Sequence, residues 1–146
     1  AGEKAFVDYA GLKMPWMDDV TGEIHDAEIF VGCLGCSHLI YAEATATQTL
    51  NDWISSHVRM LEFFGGSPRC IVNDNLRAGV SRAHRYDPDL NPTYAQFAEH
   101  YGIAIMPTRS RAPRDKSKVE NAVLCVEREV IAPLRHETFT SLAEIN

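Results

Sequence analysis

The hydrophobic pattern of this chain changes period near residue 46, and that change orders its elements. Before it, apolar residues come in short dense runs, as in buried strands. In "KAFVDYAG" Phe6 and Asp8 share one strand face, and Val7 and Tyr9 the other. "DDVTGEI" is a turn; "AEIFVGCLG" and "HLIYAEAT" are two apolar strands joined by small residues, the pattern of an antiparallel hairpin. After the change, Leu50, Trp53, Ile54, Leu61 and Phe64 recur at helical spacing through "TQTLNDWISSHVRMLEFF", and Gly65-Gly66 with Pro68 ends the helix. "RCIV" is a short strand ending at Asn73-Asp74. The polar stretch from Leu76 to Pro92, with Pro88, is a long loop. "TYAQFAEHYG" is a helix closed by Gly102, and "IAIMP" is a strand. The spacing predicts a last helix from about Asp115 to Ile131, with Val119, Ala122, Val123, Val126 and Val130 on one stripe. Hairpins first and crossovers later predict an α/β fold: a mixed five-stranded sheet, an antiparallel hairpin plus parallel strands, with helices on both faces.

At 146 residues the chain suits a single domain, 1–146, with a core that needs no disulfide or zinc staple. It opens on Ala1 rather than Met and stops soon after a helix, which suggests a domain excised from a longer protein. No apolar run reaches the length of a membrane span, and no signal peptide opens the chain. Cys33 and Cys36 form a C-x-x-C inside a strand-like run, while Cys70 and Cys125 stand alone. A zinc site needs a second pair, so these are read as small residues of a reducing cytoplasm. The net charge of −6 argues against a general nucleic-acid binder. The local balance reverses between Arg109 and Lys118, where Arg109, Arg111, Arg114, Lys116 and Lys118 face one acid, Asp115.

Three carboxylates stand in unusual places. Asp8 interrupts an apolar strand, Asp74 follows the end of one, and Glu120 lies early in the last helix. Each has an ordinary explanation. Asp8 can pair with Lys4 on its own face, and Asp74-Asn75 can form an Asx turn. Ser117 to Glu120 matches a capping box, although Lys116 and Asn121 supply no hydrophobic staple. Together they suggest more. If the strands of Asp8 and Asp74 are parallel neighbours, they lie about 4.8 Å apart. Both acids then emerge near the carboxyl edge of the sheet, where α/β sites form. Three carboxylates gathered there repel one another unless protonated or bridged by a cation, and hard oxygen ligands suit Mg²⁺ or Mn²⁺.

On these residues the chain resembles the catalytic core of DDE transposases and retroviral integrases, with a ribonuclease H-like fold. "FVDYAG", "RCIVNDNLRAGV" and "KSKVENAV" look like its three acidic motifs. The likeness is closer to IstA-type insertion-sequence transposases. It continues through "VTGEIHDAEIFVGCLG", "YAEATATQTLNDWISSHVRMLEFFGG", "RYDPDLNPTYAQFAEHYG" and "RSRAPRDKSKVE". The resemblance implies that Asp8, Asp74 and Glu120 are the catalytic triad and bind two Mg²⁺ or Mn²⁺ ions. The reaction implied is cleavage at transposon 3′ ends followed by strand transfer into target DNA. The interval from Asp74 to Glu120 is longer than in retroviral-type integrases, which puts the shape of the active-site loop in question. Cys33 and Cys36 have no part in the family's chemistry. For the cationic run the reading is contact with the DNA backbone. The implied partners are transposon-end and target DNA, an AAA+ ATPase helper and further copies of the full-length protein, in a bacterial cytoplasm and without a membrane. Two alternatives stay open: a ribonuclease H-like nuclease or resolvase that cuts without joining, and a non-catalytic oligomerisation or partner-binding module.

Overall fold

A computed structural model describes residues 4–73, 92–107 and 113–146, without the side chains of residues 107 and 113–117. The order of elements is β1 (Lys4–Tyr9), β2 (Met14–Met17), β3 (Ile24–Leu34), β4 (Ile40–Thr45), α1 (Leu50–Phe64), β5 (Cys70–Asn73), α2 (Pro92–Tyr101), β6 (Ala104–Pro107) and α3 (Pro113–Val126). A π-helical turn (Glu127–Ile131), α4 (Ala132–Leu134) and α5 (Leu142–Ile145) complete the chain.

The sheet is mixed, and among the described residues it has six strands where the pattern predicted five. They run β2-β3-β1-β5-β6, with β4 also paired to β3. The long β3 is antiparallel to β1, β2 and β4, whereas β5 is parallel to both β1 and β6. The unpredicted strand is β2, whose Pro15 disguises it. Proline is tolerated there because β2 is an edge strand among the described residues, paired to β3 alone, with no further ladder in them to need the missing N–H.

Both sheet faces are covered, so the central strands are apolar on both sides. Phe6, Val31 and Val72 face α3 through Val119, Ala122 and Val126. Val7, Phe30 and Ile71 face α1 and α2 through Trp53, Leu61 and Tyr94. Burying one such side chain contributes roughly 1.5–3 kcal/mol, and these two layers supply most of the fold's driving force.

α1 begins where Thr49 accepts the amide of Asp52. It ends at Gly65, whose φ of 77° lets its amide and that of Gly66 reach the carbonyl of Leu61. Arg59 ties α1 to β4 by a bidentate bond to Glu43, Nε to Oε1 at 2.9 Å and Nη2 to Oε2 at 2.6 Å.

The last helix departs from the predicted pattern at both ends. It starts at Pro113, two residues before Asp115, with proline in the first position where its missing N–H costs nothing. Ser117 is therefore inside the helix and is no N-cap, so the capping-box explanation of Glu120 falls. At the far end the π-helical turn inserts one residue into the period. Ile131 takes the inward position after Val126, and Val130 is left exposed. The C-terminal segment then returns to the sheet, where the Asn146 side chain accepts from the amide of Ala44 at 2.6 Å and donates to its carbonyl at 2.9 Å.

Candidate metal and nucleic-acid site

Asp8 is the fifth residue of β1, the strand flanked by β3 and β5. The alternation of the strand decides where it faces. Tyr9 turns toward α1, its ring 5.3 Å from Trp53 and 6.1 Å from Phe30. Asp8 therefore shares the opposite face with Phe6, the face on which α3 packs. It is half-buried, and its Oδ1 accepts the amide of Tyr9 at 2.8 Å, which sets the orientation of the carboxylate.

β5 is the parallel neighbour of β1, with Val7 opposite Asn73. Asp74 is the next residue in the chain and lies outside the described residues, as do Arg109 and Arg111. The expected loop from Leu76 to Pro92 lies outside them as far as residue 91.

Glu120 is on α3, seven residues after Pro113 and so about 10 Å along the helix. It is exposed and follows Val119, which is buried against the sheet. Lys118 holds this part of α3 in place. Its ammonium donates to the carbonyl of Gly35 at 3.1 Å and lies 5.7 Å from the centre of the Phe6 ring. Of the five cations, Lys118 is thus engaged within the fold. Arg114 and Lys116 occupy the opening turns of the helix. Cys33 is buried, with its thiol 3.9 Å from the carbonyl of Lys118, and Cys36 is exposed. Burial raises the Cys33 thiol above its ordinary pKa, which makes it a packing residue rather than a thiolate.

Asp8 and Glu120 are hard oxygen donors on two elements packed against each other, one half-buried and one open to water. This donor chemistry fits Mg²⁺ or Mn²⁺, which keep several waters when bound. Among the described residues no group of three or more His, Cys, Asp or Glu side chains could hold a metal ion, and the third expected ligand, Asp74, is not among them. A cavity of ≈ 890 Å³ lies elsewhere, lined by Tyr41, Ala44, Val126, Ile131 and Leu142 among others, and includes neither Asp8 nor Glu120.

The structure adds a buried polar chain that periodicity does not reveal. His57, wholly buried in α1, has its Nδ1 2.7 Å from the carbonyl of Trp53. A carbonyl only accepts, so Nδ1 carries the proton. Burial lowers the His57 pKa to about 4, so the ring is neutral and Nε2 is an acceptor. The Tyr94 hydroxyl therefore donates to Nε2, at 3.3 Å, and accepts from the side-chain amide of Asn73 at 2.9 Å. One signal is present in the sequence: His57 falls on the α1 stripe between Trp53 and Leu61, a polar residue where an apolar one is the rule.

Comparison with known proteins matches residues 14–113 to the family described as integrase core domain. A Sinorhizobium fredii protein named as a candidate transposase, y4bL/y4kJ/y4tB, is 52% identical over 146 residues, covering 100% of this chain and 28% of the relative. A candidate transposase for insertion sequence IS408 from Burkholderia multivorans is 48% identical over 146 residues, again covering 100% and 28%. The chain thus spans under a third of the length of these curated relatives. Among solved structures, the catalytic core domain of BIV integrase superposes with a TM-score of 0.66 at 13% identity, covering 99% of this chain and 79% of that one. The HTLV-2 integrase catalytic core domain in complex with magnesium superposes at 0.61 and 14% identity, covering 91% and 72%. These two establish the likeness of fold. No described helix is long and apolar enough to cross a membrane.

Proposed function

The chain belongs to the integrase core domain family, and on that footing we propose that it is the catalytic core of an IstA-type insertion-sequence transposase, which cuts DNA at transposon 3′ ends and joins those ends to target DNA. The observation that carries this reading is the pairing of β1 with β5. Two parallel central strands are in register at Val7 and Asn73, and each of these residues is followed in the sequence by an aspartate. The third acid, Glu120, is on the helix that covers the Asp8 face.

In this reading Asp8, Asp74 and Glu120 hold two divalent cations, Mg²⁺ or Mn²⁺. When bound, the cations supply charge to activate the attacking oxygen and to stabilise the leaving oxygen of the phosphodiester. The protein itself contributes position. The Tyr9 amide orients Asp8, and Lys118 fastens α3 to the turn after β3, so Glu120 is presented from a fixed helix. Arg109, Arg111, Arg114 and Lys116 contact phosphates, which places the DNA without reading its sequence. Transposon-end DNA, target DNA, an AAA+ helper and further copies of the whole protein, in a bacterial cytoplasm, complete the proposal. A strand-transfer assay with pre-cut transposon ends and a plasmid target tests it. The expected result is metal-dependent joining; cleavage without joining would favour a nuclease or resolvase instead.

A further inference from the structure

Asn73 is the last residue of β5, and Tyr94 is the third residue of α2. The stretch between these elements, residues 74–91, opens with Asp74. The bond from Asn73 to Tyr94 therefore joins the exit and the re-entry of that stretch. Behind it, Tyr94 is fixed through His57 to the backbone of α1, so three elements, β5, α2 and α1, meet at one directed chain of hydrogen bonds. Every donor in the chain is determined, because the Trp53 carbonyl at its far end can only accept.

Packing alone does not call for an amide at position 73. Asn73 is 1% exposed and shares the α1 and α2 face of the sheet with Ile71, where an aliphatic side chain fits the pattern. Its Oδ1 is buried with no hydrogen-bond partner among the described residues, which costs stability that a leucine would not lose. Such local departures from the packing rule mark positions held for another purpose. We propose that Asn73, clamped by Tyr94 and His57, is a positioning residue that fixes the strand end from which Asp74 leaves, and so sets that carboxylate for metal binding. This rests on the reading of Asp74 as a metal ligand.

The test is Mn²⁺ titration of the chain by calorimetry, alongside backbone hydrogen exchange. Tyr94→Phe keeps the ring and removes the hydroxyl that bonds to Asn73 and His57. Asn73→Leu keeps the volume and removes the amide. Ile71→Val, on the same strand and face, is the packing control. The expected result is Mn²⁺ binding weakened about tenfold or more in Tyr94→Phe and in Asn73→Leu, with less than a twofold change in Ile71→Val. Amides at 71–73 and 94–97 should exchange faster together in the first two variants. Asn73→Leu should melt within a few degrees of the parent, so its weaker binding cannot be laid to unfolding. Mn²⁺ affinity unchanged in folded Tyr94→Phe and Asn73→Leu, or lowered equally in Ile71→Val, overturns the proposal. A parent chain with no Mn²⁺ site sensitive to Asp8→Asn overturns the metal reading itself, a different and separately visible failure.

Discussion

Val7 of β1 and Asn73 of β5 are register partners on neighbouring parallel strands, and each is followed in the sequence by an aspartate. Asp8→Asn and Asp74→Asn should each leave the circular dichroism spectrum unchanged while abolishing both cleavage and joining. Asparagine keeps the size of the side chain, so packing changes little, whereas a metal ligand is worth several kcal/mol in the transition state. Near-normal joining by either folded variant would remove that acid from the site.

Glu120 can be separated from the other glutamates of the C-terminal helical segment. Because Ser117 lies inside α3, Glu120 has no capping box to complete, and as an exposed helical residue its change to Gln should cost within about 0.5 kcal/mol. Activity and Mn²⁺ affinity should nevertheless be lost. Glu127 begins the π-helical turn, seven residues or about 10 Å further on, so Glu127→Gln should stay folded and active. Persisting activity in Glu120→Gln, measured by strand transfer, would mean that the third ligand is another residue.

Binding to duplex DNA should be weak and steeply salt-dependent, since the net charge is −6 and the cations are local. Arg111→Ala with Arg114→Ala should lower affinity and flatten the slope of log K against log salt by about 0.9 for each phosphate that is no longer neutralised. An unchanged slope, measured by fluorescence anisotropy across a salt series, would place the DNA elsewhere.

His57 gives the fold an acid sensitivity. Its pKa is lowered from 6.5 to about 4 by burial against Phe30, Trp53, Tyr94 and Phe97. Between those values the unfolded chain binds a proton that the folded chain does not. Stability therefore rises with pH across the window, and about 3 kcal/mol is lost on going from pH 6.5 to 4. Urea unfolding at a series of pH values should show this dependence in the parent and a flatter one in His57→Gln. Parallel curves would mean that His57 titrates normally.

Much of the fold is legible in the sequence because its period changes are clean. The α1 stripe, its Gly65 stop and the β3–β4 hairpin all follow from apolar spacing and turn residues. β2 escapes such a reading because a four-residue edge strand containing Pro15 has too little pattern to register. The spacing puts Val130 inside because a π-helical turn cannot be read from a 3.6-residue period. Of the proposed site, Asp8 is legible as an acid breaking an apolar strand. The chain of Asn73, Tyr94 and His57 is not, because its members are far apart in sequence and meet only when α1 and α2 pack on β5.

Whether Asp8, Asp74 and Glu120 share divalent cations, as proposed, can be seen by anomalous diffraction from crystals soaked in MnCl₂. Mn²⁺ peaks are expected within about 2–2.5 Å of carboxylate oxygens of all three residues. Crystals of active protein with no peak at Asp8, or with Mn²⁺ bound only at other side chains, would contradict it.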